Sequence, residues 1–140
     1  MKIESLIATI LKDTTNGQGN IAPEIMEAVT GLVSRLEGML PNVETARGVA
    51  AKLGITWDKD PNSTVLAWAW TIWPLYESGR IGELLAVVAP LLPAGQPFGQ
   101  SEVDAVRGQI LLAEAEGDAS KVEASRRTAR QMRAHNLQSN

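Results

Sequence analysis

Ser63-Thr64-Val65-Leu66-Ala67-Trp68-Ala69-Trp70-Thr71-Ile72-Trp73-Pro74-Leu75-Tyr76-Glu77-Ser78-Gly79 is the stretch that decides the fold. Leu66, Trp70, Trp73 and Tyr76 recur on one face of a 3.6-residue helix, and Val65, Trp68, Ile72 and Leu75 on another. A helix apolar on two faces has to be covered from several sides, so it belongs at the centre of a bundle. Asp60 or Ser63 is expected to cap it and Ser78-Gly79 to break it. Pro74 removes one backbone donor and leaves the Trp70 carbonyl without its helical partner, so a kink is expected there.

The same period continues outward in both directions. Toward the C-terminus, Ile81, Leu84, Leu85, Val88, Leu91 and Leu92 predict a helix whose last turn meets Pro90 and Pro93. Residues 93–100, rich in Pro and Gly, read as a loop. Ser101 with Asp104 resembles a capping box ahead of a helix that carries Val103, Val106, Ile110 and Leu111 and ends at Gly117. Asp118 caps the last helix, which is expected to run to about His135, with 134–140 a frayed tail.

Toward the N-terminus, Asn42 caps a short helix over 43–53 that stops at Gly54. Before it, a helix starts near Pro23, carries Ile25, Val29, Leu32, Val33, Leu36 and Leu40, and ends ahead of Pro41. Ile3, Leu6, Ile7, Ile10 and Leu11 predict a first helix over 2–12. The polar, Gly-rich stretch 13–20 reads as a loop that can join it flexibly. No period-2 strand of useful length occurs. The expectation is an all-α single domain over 1–140, with seven helices in antiparallel hairpins.

Two stretches align by their turns: Trp68…Tyr76-Glu77-Ser78-Gly79 leading into Ile81–Leu85, and Val106…Glu116-Gly117-Asp118 leading into Ala119–Ala124. The turn glycines stand 38 residues apart. This pattern, over about 65–133, resembles the tetratricopeptide repeat, a stacked helix–turn–helix unit with a groove that holds partner segments. The sequence departs from that family where Leu84 and Val122 replace its usual small alanine, and in the early Pro90 and Pro93. Two αα-hairpins of an irregular bundle account for the same residues.

Composition narrows the function. A 44% hydrophobic and 21% charged chain of 140 residues has enough apolar material to fold alone, which sets disorder aside. Cysteine is absent and His135 is the single histidine, so thiol nucleophiles, thiolate metal sites and the usual acyl-transfer triads have no residues to build them. No zinc, calcium or phosphate-loop spacing occurs, and neither metal nor cofactor is expected. The carboxylate pairs Glu114/Glu116 and Glu24/Glu27 read as solvated helix surface. An enzyme is therefore not expected. Neither a signal-peptide core nor a membrane-spanning run is present, so cytoplasmic residence is the default expectation.

Three features could carry binding. Trp57, Trp68, Trp70 and Trp73 are dense for a chain with one Phe and one Tyr. They either fill a core poor in other aromatics or, with Tyr76, anchor a partner in a groove. The segment 43–78 looks like a DNA-binding helix–turn–helix, with Thr45–Thr56 as first helix and turn. Its second helix, however, carries no Lys or Arg until Arg80. Last, residues 1–118 hold eight basic residues against 15 acids, whereas 119–140 hold five against one. Arg126, Arg130 and Arg133 share one side of the last helix, with Arg127 beside them. They read either as a solvated terminal helix suited to its dipole or as a contact for an acidic partner or RNA.

Taken together, these features point to a non-enzymatic protein–protein interaction module: an adaptor, assembly factor or inhibitor. It would capture a partner segment near Trp68, Trp70, Trp73 and Tyr76, with self-association open to it. The alternative is a nucleic-acid-contacting regulator using 43–78 or the basic last helix.

Overall fold

In the computed structural model, residues 23–92 and 97–139 are described. They form α1 (Pro23–Met39), α2 (Val43–Lys52), α3 (Thr64–Glu77), α4 (Ile81–Val88), α5 (Gln100–Glu116) and α6 (Ala119–Ser139), with a 3-10 turn at Ala89–Leu91. Among the described residues there are six α-helices and no strand, so the chain is all-α. The helix expected over 2–12, the seventh of the expected set, lies outside the described residues, as do the loop 13–20 and residues 93–96.

Local chemistry sets most of the boundaries. Asn42 accepts the Glu44 N–H at 2.8 Å to open α2, and Ser63, not Asp60, accepts the Leu66 N–H at 3.1 Å to open α3. Asp118 accepts the Lys121 N–H at 3.1 Å at the start of α6. Gly79 and Gly117, at φ 75° and 73°, take the left-handed turn that reverses the chain between α3 and α4 and between α5 and α6. The helices that follow the two turns are unequal: α4 has 8 residues and α6 has 21.

Three boundaries differ from expectation. The α5 N-terminus is closed by Glu102, whose carboxylate accepts the Gly99 N–H at 2.7 Å, rather than by Ser101 and Asp104. Glu102 is drawn inward because it also pairs with Arg35 of α1, while Asp104 takes the exposed Gln100 amide at 2.8 Å. The α-helix predicted through Leu92 ends at Val88, and the chain tightens into the 3-10 turn where Pro90 supplies no donor. Finally, the helical geometry of α6 continues past His135 to Ser139. Asn136 accepts the Phe98 N–H at 2.7 Å and donates to the Phe98 carbonyl at 3.1 Å, and His135 lies 4.6 Å from the Phe98 ring. These contacts tie the end of the helix to a loop 38 residues earlier.

The two-sided helix α3 occupies the centre, packed by α1, α2, α4 and α5. Helix α1 lies across both α3 and α5, and α4 packs on α5 and α6. The burial of Val29, Leu32, Val33 and Leu36 on α1, Ile72 and Leu75 on α3, and Ile81 and Leu84 on α4 forms one continuous core. Removing such side chains from water is the main stabilising contribution, roughly 1.5–3 kcal/mol for each large aliphatic one.

Several buried polar groups are paired across helices. Gln109 of α5 accepts the Ile81 N–H at 2.9 Å and donates to Ser125 at 2.5 Å, and Ser125 donates in turn to the Lys121 carbonyl at 2.8 Å. One amide therefore caps α4, which has no side-chain cap of its own, and fastens α6. Lys121 donates to the Glu77 carbonyl at 3.0 Å, and Arg80 donates to the Leu53 carbonyl at 3.0 Å. These bonds close the ends of α3 and α2.

Candidate interaction surface

The residues expected to anchor a partner mostly became core. Trp68 is fully buried, and Trp73 and Tyr76 retain 4% and 1% of their surface; only Trp70 of that set is half-exposed. The covering element is α1. Ala28 of α1, Gly108 of α5 and the Tyr76 hydroxyl meet at one point, where a side-chain carbon on Gly108 would strike the hydroxyl. Helix α1 packs against the first helices of both hairpins, α3 and α5. Trp68 donates to the Leu40 carbonyl at 3.1 Å and Trp57 to Thr71 at 3.2 Å, so both indoles fasten neighbouring segments. Trp73 stacks on Tyr76 at 5.8 Å, and neither the Trp73 N–H nor the Tyr76 hydroxyl has a hydrogen-bond partner among the described residues. Burial raises the Tyr76 pKa far above its ordinary value, so the phenol stays neutral.

The helix–turn–helix segment is displaced by the same burial. Its second helix is α3, whose Trp68, Thr71, Ile72, Trp73 and Leu75 face the interior, so little of it could enter a nucleic-acid groove. Beside it, α2 and its following loop border an open hollow of about 560 Å³. Arg47 lies 5.2 Å from the Trp57 ring there and is already met by Glu44 at 3.4 Å and Asp60 at 3.5 Å. Its charge is answered within the chain.

The basic residues of α6 divide in a way the sequence does not show. Arg126 pairs with Glu114 at 3.4 Å and Arg130 with Glu123 at 3.1 Å. Among the described residues Arg35, Arg47 and Arg80 are also in ion pairs, whereas Arg107, Arg127 and Arg133 have no carboxylate within reach. Two of those three line one trench.

That trench, of about 350 Å³, runs along the outer face of the α5–α6 hairpin. Val103, Val106 and Ile110 of α5 and Ala129 and Met132 of α6 form its floor, and Arg107 and Arg133 stand one on each wall. Its depth comes from size mismatch: half-buried Val103 and Ile110 face Ala129, which is too short to fill the furrow between them. Among the described residues no carboxylate lines it. The Arg126–Glu114 pair lies toward the turn end, and Asn136, committed to Phe98, closes the other. The residues read from sequence as the apolar face of this helix, Val103, Val106 and Ile110, thus cover only part of it with core. The available signal was the sparse apolar side of α6, only Val122, Ala129 and Met132, in which the small Ala129 leaves little to meet the larger aliphatic residues of α5.

Among the described residues no group of three His, Asp or Glu side chains is placed to hold a metal ion, and no helix is long and apolar enough to cross a membrane. Two carboxylates are shifted by their surroundings. Burial first, and Glu116 second, raise the Glu77 pKa against the opposing pull of Lys121, while the hydrogen bond from Arg80 lowers that of Glu83. No family model matches the chain, and no match is found to a curated protein or to a solved structure.

Proposed function

We propose that this protein is a non-enzymatic interaction module, an adaptor, assembly factor or inhibitor, that holds a segment of another protein in the α5–α6 trench. The observation that carries the reading is a coincidence of apolar floor and unanswered charge. Val103, Ile110 and Ala129 are only half-buried, and the two arginines above them lack carboxylate partners among the described residues. Apolar anchors within a polar rim are the usual anatomy of a recognition surface. The tetratricopeptide-like reading of the two hairpins is compatible with this placement. With α1 seated against their first helices, the outer face of the second hairpin is, among the described residues, a surface that a partner can reach.

The test is retention of proteins from native lysate by the immobilised full chain, compared with Ile110→Glu and Trp70→Ala. Loss of a retained partner with Ile110→Glu but not with Trp70→Ala is expected. Equal retention by Ile110→Glu would move the working face elsewhere, and loss only with Trp70→Ala would return it to α3. The nucleic-acid alternative predicts salt-sensitive binding to RNA or DNA that falls on replacing Arg126, Arg127 and Arg130.

A further inference from the structure

Resting on that reading, we propose that the trench takes an amphipathic helix whose apolar stripe is flanked on both sides by Asp or Glu. Three features lead there. First, the furrow is open along its length and walled by two antiparallel helices. That shape suits a third helix laid ridge into groove, whereas a small apolar ligand needs a pocket that closes around most of its surface. Second, Val103, Val106 and Ile110 span two turns, about 10 Å, which matches anchors at i, i+3 or i+4, and i+7 of a docked helix.

Third, the charges are placed for a helix. The Gln109–Ser125 and Phe98–Asn136 bonds fix the register of the hairpin. They set Arg133 level with the beginning of α5, and Arg107 roughly 9 Å further along the opposite wall. A bound helix would meet one guanidinium on each flank, about two turns apart. With no acid among the described lining residues, both guanidinium forks are open there to carboxylates, and their planar geometry favours paired hydrogen bonds. A basic amphipathic helix would meet like charge on both walls.

The experiment titrates the full chain into two fluorescein-labelled helical peptides and follows anisotropy. Both peptides carry a Leu stripe at i, i+3, i+4 and i+7; one has Glu on both flanks and the other Lys. The Glu peptide is expected to bind roughly tenfold tighter, by an advantage that shrinks as salt rises. The double variant Arg107→Glu/Arg133→Glu should reverse the preference while leaving thermal unfolding unchanged, since Arg107 and Arg133 are exposed. Equal binding of the two peptides, abolished by Ile110→Glu, would overturn the acidic helix while leaving the trench as interaction site. Binding of neither would overturn the helix as occupant, and retention of a partner lost with Ile110→Glu would then uphold the wider reading separately. Binding of the Glu peptide only after removal of residues 1–22 would overturn the proposal in favour of coverage by the chain's own N-terminal segment. Tighter binding of single-stranded RNA than of the Glu peptide, lost in the double variant, would also overturn it.

Discussion

Gly108 is the residue on which the central packing turns. Its missing side chain lets α1 and α5 approach over the Tyr76 hydroxyl. Gly108→Ala should therefore cost about 1–3 kcal/mol, the scale of overpacking in a closed core, although alanine favours a helix over glycine. Tyr76→Phe removes the colliding oxygen and a buried hydroxyl without a hydrogen-bond partner among the described residues. It should be nearly neutral alone and should recover much of the loss in the double variant, read from denaturant unfolding as a non-additive cycle. Glu77 gives a pH signature. Its carboxyl is held above its ordinary pKa, so the folded state binds that proton more tightly than the unfolded chain. The ionised group therefore opposes folding at neutral pH, and the penalty fades as pH falls through its folded pKa. Glu77→Gln should unfold at higher denaturant than wild type at pH 7 and show no such advantage at about pH 3, below the carboxylate range.

Tyr76 and Gly108 also show what a one-dimensional reading misses at this scale. The Trp-bearing stretch was legible as a two-sided central helix, yet nothing in it says which element covers the second face. That cover, α1, was legible as an amphipathic helix, but its position across α3 and α5 follows from the close approach at Ala28 and Gly108. Glycine inside a helix reads as a propensity penalty until its neighbour is known.

At the scale of elements, caps and turns that use residues near in sequence were legible: Asn42, Asp118 and the left-handed Gly79 and Gly117. The departures each involve a distant partner. Glu102 is recruited by Arg35, α4 is capped by Gln109, and the last turns of α6 are held by Phe98. Gln109→Leu should leave the Ile81 N–H buried without an acceptor and cost about 1–3 kcal/mol, seen as a lower unfolding midpoint. Asn136→Ala should release the end of α6, detected as faster amide exchange over 134–139 with the exchange of α3 unchanged.

At the scale of the whole molecule, the acidic body and basic last helix resolve into a different pattern. Arg126 and Arg130 are answered by neighbouring glutamates, so the count of basic residues overstates what α6 offers a partner. What remains is a small apolar trench with a charge on each wall, on the face away from α1. The candidate site was therefore only half legible. Arg133 was read from its position on α6, but Arg107 stood among apolar neighbours, and the furrow exists only once Ala129 is set opposite Val103 and Ile110. Ile110→Glu should cost about 1–3 kcal/mol, because half of that side chain packs on the core, and should leave the chain folded while removing binding altogether.

The absence of cysteine makes the decisive measurement simple. A single Cys introduced by Ala129→Cys or by Trp70→Cys can carry a benzophenone, and each labelled protein can be irradiated in native lysate. Cross-links from position 129, lost when Ile110→Glu is added, are the expected result. Cross-links from position 70 with none from position 129 would contradict the assignment of function to the α5–α6 trench.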